Sequence, residues 1–166
     1  MAVIGAFTKY DCRGAGDRVT LCAMAQSTYD DANLLLRLYE LRREDKMRAA
    51  RNWFVANFRC KTMAEMGELC PPGSEANAYY RQVVSYWDMA GSFIQSGVLN
   101  PDLFFTNTRE ILLVWERVKP VMAEIRTAFK DPTYLGNLEK AGGACGEFLK
   151  RTAGDEAYNA FVKRVS

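Results

Sequence analysis

The sequence predicts an all-α fold: a single-domain helical bundle of six to eight helices around a central antiparallel helix pair. Three observations predict it. Apolar residues recur at three- and four-residue spacing in each long segment, and no segment alternates with period two. A capping residue stands at nearly every expected helix start. The stretch Tyr79–Phe129 reads as two long helices joined by a short, well-signalled turn. Residues 1–17 have no clear period and are expected as an irregular N-terminal segment; residues 18–166 are expected to form the helical domain.

Within the first segment, Arg13-Gly14-Ala15-Gly16-Asp17 is loop-like, with Asp17 as a candidate cap. Its glycines do not make a phosphate loop, because the lysine and hydroxyl residue that end such a loop are missing. The first helix is expected over Arg18–Leu41, with Cys22, Ala25, Tyr29, Ala32, Leu36 and Tyr39 as its inner face. Leu34, Leu38 and Leu41 lie on the opposite side of its C-terminal half. A helix end apolar all round is either deeply buried or part of an oligomer contact. The second helix starts near Glu44 and turns Met47, Ala50, Phe54 and Phe58 inward. Thr62-Met63-Ala64-Glu65 fits a capping box opening a short helix. Pro71-Pro72-Gly73 then separates two helical layers, and Ser74 caps the central helix.

That central helix carries Tyr80, Val83, Val84, Trp87, Gly91, Ile94 and Val98 as one apolar stripe. Tyr79, Tyr86 and Phe93 form a second stripe beside it. Two stripes require more than one packing neighbour. Gly97 ends the helix, and Asn100-Pro101 starts the next with a cap and a first-turn proline. The partner helix turns Phe104, Ile111, Leu112, Trp115, Val118, Met122, Ile125 and Phe129 to one side. Thr106-Asn107-Thr108 is a candidate break, and at Pro120 the helix either kinks or restarts. After Asp131-Pro132-Thr133, Tyr134, Leu138, Ala141, Cys145, Phe148 and Leu149 mark the next helix. Gly142-Gly143 inside it points to close helix approach or a break. Gly154 and Asp155 introduce the last helix, with Tyr158, Phe161, Val162 and Val165 on its face.

Composition removes several function classes. The chain has 166 residues, 49% hydrophobic and 25% charged, with a net charge of +2. Such a charge gives no general argument for a polyanionic partner. There is no histidine, hence no imidazole base, no imidazole metal ligand and no triad built on one. The five cysteines match no zinc spacing and are expected as reduced thiols, Cys22 and Cys145 on apolar helix faces. The longest uncharged run, Met89–Pro101, has 13 residues and contains a turn, so no membrane span is expected. The start lacks a signal-peptide core, and a cytoplasmic protein without cofactor or metal is expected.

Charged residues on apolar faces are the informative anomalies. Arg126 lines up with Trp115 and Met122, Arg51 borders the Met47–Phe54 stripe, and Glu40 lines up with Tyr29 and Leu36. A charge in a core needs a partner, and Asp88 and Glu40 are candidate carboxylates for the two arginines. The alternative is a ligand site in which Arg51 and Arg126 grip an anion between Trp87 and Trp115, with Asp88 nearby. Arg37–Lys61 holds eight Lys/Arg against three Asp/Glu, with Trp53 and Phe54 interleaved. Its charges run around the helix, which fits a solvated surface better than a nucleic-acid groove.

Met47-Arg48-Ala49-Ala50-Arg51, Tyr86-Trp87-Asp88, Gly97-Val98-Leu99, Asp102-Leu103-Phe104 and Trp115-Glu116-Arg117-Val118-Lys119-Pro120 together resemble a bacterial all-helical domain family of unknown function. The resemblance covers roughly residues 20–130. It implies a helical fold and supplies no reaction. Many relatives in that family carry membrane helices ahead of the domain, and none is expected here.

Three functions remain. The favoured one is a non-enzymatic module that binds a protein partner or itself, with Leu34, Leu38 and Leu41 as the interface. The second is a small-anion binding protein or enzyme using Arg51, Arg126, Trp87 and Trp115; the third is nucleic-acid binding through Arg37–Lys61.

Overall fold

The structure is a computed structural model that describes residues 26–165. The expectations for Arg13–Asp17, Cys22 and Ala25 lie outside the described residues. Within them the chain forms α1 (Tyr29–Arg43), α2 (Asp45–Asn57), α3 (Met63–Leu69), α4 (Glu75–Gln95), α5 (Pro101–Asn107) and α6 (Glu110–Val118). A 3₁₀ turn (Lys119–Val121), α7 (Met122–Phe129), α8 (Gly136–Ala153) and α9 (Asp155–Val165) follow. The all-α class holds, with nine α-helices among the described residues once the seven-residue α3 and α5 are counted.

The first helix departs from expectation twice. It begins at Tyr29 rather than near Arg18, because Thr28 closes a capping box with Asp31. Its faces are also reversed. Leu38 and Asp31 are buried, with Leu34 and Leu35 half-buried beside them; Tyr29, Leu36, Tyr39 and Leu41 are exposed. The anchors explain the choice of side. Asp31 Oδ1 accepts from the Asn100 N–H at 2.6 Å, and the Tyr86 hydroxyl donates to the Leu38 carbonyl at 2.6 Å. Both fix the Asp31–Leu38 line against the body, so the Tyr29–Leu36 line looks out.

Asp31 also carries a pH prediction. The Thr28 N–H, the Thr28 hydroxyl and the Asn100 N–H hold its carboxyl below the ordinary aspartate range. Its contribution is present in full above that range and is lost as pH falls through the depressed folded value. Urea midpoints measured from about pH 6 to about pH 2 are expected to fall, and Asp31→Asn should remove part of that fall. An unchanged pH slope in the variant would contradict the assignment.

α4 is the axis. Ser74 Oγ accepts from the Asn77 N–H at 3.0 Å, and Tyr80, Val83, Val84, Trp87, Gly91 and Ile94 are all buried. Its main neighbours are α8 and then α2. That corrects the expected pairing with Pro101–Phe129. The latter stretch is three helices, broken at Thr108-Arg109 and again at Pro120, so no part of it runs the length of α4. α8 does, and two glycines let it approach. A Cβ on Gly91 would stand 2.6 Å from the Asn137 carbonyl oxygen; one on Gly142 would stand 2.5 Å from Trp115 Cβ. The expected close approach at Gly142 is therefore observed, between α8 and α6.

The α4–α5 turn forms as expected. Gly97 has φ +72°, the N–H groups of Val98 and Leu99 donate to the Phe93 carbonyl, and Asn100 accepts from the Leu103 N–H. Cys60, Cys70 and Cys145 are buried free thiols. Burial pushes Cys70 up to about 11 and Cys145 up to about 12, so both are protonated at neutral pH.

Candidate functional site

The sequence-predicted site residues separate. Arg51, on the inner flank of α2, donates from Nε and Nη2 to the two oxygens of Glu110, in the first turn of α6. This fork is bidentate and half-buried, and the hydrogen bond to Glu110 raises the already high pKa of Arg51. Neither expected partner takes part. Asp88 caps α8 instead: Oδ1 accepts from the Leu138 N–H at 2.9 Å and Oδ2 from Asn137 Nδ2 at 3.2 Å. The α8 start needs this outside cap because Leu135, ahead of it, is left-handed and offers no side-chain bond. Glu40 is exposed and pairs with Arg37 at 3.5 Å. Arg126 donates to the Tyr134 carbonyl at 3.1 and 3.0 Å and to Glu139 at 2.7 Å.

The tryptophans are core. Trp87 is 1% exposed, edge-on to Tyr86 and Phe104, and Trp115 covers Gly142. No hydrogen bond, ion pair or ring contact among the described residues joins Arg51, Trp87, Trp115 and Arg126. The carboxylates supply no centre either: no group of three His, Cys, Asp or Glu side chains among the described residues could hold a metal ion.

Sequence reasoning missed Arg117. It is 5% exposed, and its guanidinium reaches backbone carbonyls at the C-terminal ends of α2 and α9. A signal existed: the nine residues of α6 are apolar almost all round, which leaves its one arginine with buried neighbours.

Two surface features remain as candidates, both on α1. The outward line holds Tyr29, Leu36 and Arg43 at seven-residue spacing, flanked by Tyr39; Tyr29 is 81% and Leu36 60% exposed. Beneath it, between α1, α4 and α5, lies a cleft of about 380 Å³ with mostly apolar walls and Arg42 at its edge. A larger and more open hollow, about 890 Å³, lies where α4 meets the α8 start. Its acidic groups are already engaged, Asp88 as the α8 cap and Asp131 with Thr133.

The chain belongs to a domain family of unknown function, DUF4760, which matches residues 27–142. The resemblance to an uncharacterised helical family therefore holds. The matched span runs from the α1 cap into α8 and includes Arg42, Arg51, Trp87, Glu110 and Arg117. No curated protein and no solved structure matches the chain. No described helix is long and apolar enough to cross a membrane.

Proposed function

We propose that this DUF4760 domain is a non-enzymatic interaction module that pairs with a second copy of itself through the outward face of α1. One observation carries the reading: Tyr29, Leu36 and Tyr39 stand exposed on the outward side of a single peripheral helix. Large apolar side chains grouped in this way are favourable to cover. Charge favours a second copy as the cover. The first turn of α1 exposes acidic Asp30 and its last turn exposes basic Arg43, whereas Asp31 and Arg42 are held against the body. Two copies crossing antiparallel at Leu36 bring acidic ends to basic ends and oppose the helix dipoles favourably. Tyr29 of one copy then meets Arg43 of the other, a guanidinium over an aromatic face. The interface differs from the expected Leu34–Leu38–Leu41 set because Leu38 is committed to the core.

The basic stretch lends little to a nucleic-acid reading. Arg37, Arg42, Arg48 and Arg51 each lie within ion-pair distance of a carboxylate.

Sedimentation equilibrium tests the proposal. Across the micromolar range the wild type is expected to move from the mass of one chain toward that of two. Leu36→Lys, which sets two like charges at the crossing point, should remain at one. A wild type that stays at one mass would contradict the reading. Association of the variant as strong as that of the wild type would place the contact elsewhere.

A further inference from the structure

We propose that the cleft beneath α1 is a binding site for a small amphiphilic carboxylate, a molecule with a medium-length apolar body and one acidic group. The cleft, about 380 Å³, falls within the range of ligand pockets, about 300–1,000 Å³. Leu35, Leu38, Tyr86, Trp87 and Phe104 give it walls for an apolar body. Arg42 gives it one charged edge.

The charge count at that edge names the ligand class. Arg42 and Arg51 both approach a single carboxylate, Glu110. Arg51 occupies it with two donors. Arg42 keeps one long contact to it, Nη1 to Oε2 at 3.4 Å, and one to Thr108 Oγ1 at 3.2 Å. Its Nε is buried and has no acceptor. Two guanidinium groups against one carboxylate leave one positive charge beside an apolar cleft, together with an unsatisfied donor. A buried donor without an acceptor is costly, and an anionic acceptor entering from the cleft relieves it through a small shift of the Arg42 side chain. Thr108 Oγ1 accepts from Arg42 and from the Glu110 N–H, so its own proton is free to donate to the same acceptor.

The surplus is one charge, and Glu110 stands behind it. A multiply charged phosphate would be repelled by that carboxylate, and a cation by the arginines. A neutral alcohol would gain the walls and forgo the ion pair. These comparisons select a singly charged carboxylate. The charged edge and most of the walls belong to one copy, with Arg42, Trp87 and Phe104 on the inner side of α1, while Leu36 and Tyr39 at the rim are shared with its outward face.

Octanoate and octanol are the probes, titrated calorimetrically into dilute protein. Octanoate is expected to bind about tenfold or more tightly than octanol, the preference an ion pair in a partly buried site supports. Arg42→Gln should reduce octanoate to the level of octanol and leave octanol unchanged. Arg42→Lys, which retains the charge, should keep part of the preference. Three results would overturn the proposal: no octanoate binding, octanol binding as tightly as octanoate in the wild type, or an octanoate affinity unaffected by Arg42→Gln. The comparison of the two probes in the wild type stands even if a variant fails to fold. The sedimentation test of α1 pairing is run without either probe, and the titrations use dilute protein, so each result is read apart from the other although Leu36 and Tyr39 border both surfaces.

Discussion

Arg117→Met is expected to lower the unfolding free energy by about 3 kcal/mol or more. The side chain is buried, and each acceptor the structure gives it is a backbone carbonyl: Val165 at 2.8 Å, Phe54 at 3.0 Å, Val55 at 2.6 Å and Phe58 at 3.4 Å. The last carbonyls of a helix have no partner within the helix, and the C-terminal end carries partial negative charge. Arg117 meets both needs for α2, and Val165 ties α9 to the same group. Burial disfavours its charged form and lowers its pKa, with Arg59 adding repulsion, yet an arginine remains charged at any working pH. Methionine fills the volume, strands the Val55 carbonyl and leaves the Val165 carbonyl with only the long contact from Arg59 at 3.4 Å. Urea denaturation with an unchanged m-value is the measurement. A loss below about 0.5 kcal/mol would mean that water replaces the guanidinium at no cost.

The second large effect separates two adjacent glycines. Gly142→Ala is expected to destabilise by about 3 kcal/mol, the upper end of ordinary overpacking. The new Cβ would lie 2.7 Å from Trp115 Cγ and 2.5 Å from Trp115 Cβ, and the Cβ is fixed to the α6 backbone, so no rotamer change moves it aside. α8 would have to retreat from α6. Gly143→Ala should do the opposite. No atom lies within 4 Å of its Cβ position, and alanine in an exposed helix interior gains about 1 kcal/mol over glycine. Thermal unfolding of the two variants should bracket the wild type. Two shifts of the same sign would contradict the packing of α8 on α6.

Those same residues show what could be read from sequence. Gly142 was legible because a glycine pair inside an apolar period costs helix stability, and tight packing is a reason to keep it. α2 and α8 were legible because each has one dominant apolar side, and α4 because its two adjacent apolar stripes demand more than one neighbour. α1 was not. It is apolar on two sides, and periodicity reports that a stripe exists without saying which stripe meets the body. The deciding contacts, Asp31 to Asn100 and Leu38 to Tyr86, join residues 69 and 48 positions apart. The arginine partners failed for the same reason. Sequence shows that Arg51 borders an apolar face and needs a carboxylate. Glu110, rather than Asp88 or Glu40, becomes that carboxylate because Thr108-Arg109 breaks the helix and turns the first residue of α6 toward α2. Arg117 was legible only as a charge within an apolar helix, and its acceptors are carbonyls that no side-chain pattern reveals.

The pairing of two copies through α1 is tested most directly by a charge swap read by sedimentation equilibrium. Tyr29→Lys sets a lysine on one copy against Arg43 of the other and should weaken the pair by about tenfold, an unfavourable 1.4 kcal/mol. Adding Arg43→Asp to the same chain converts that repulsion into an ion pair and should restore association to near the wild-type level. Restoration of this kind requires the two residues to meet across the interface. Association unaffected by Tyr29→Lys, or a double variant that remains as weak as the single one, would contradict the antiparallel α1 interface.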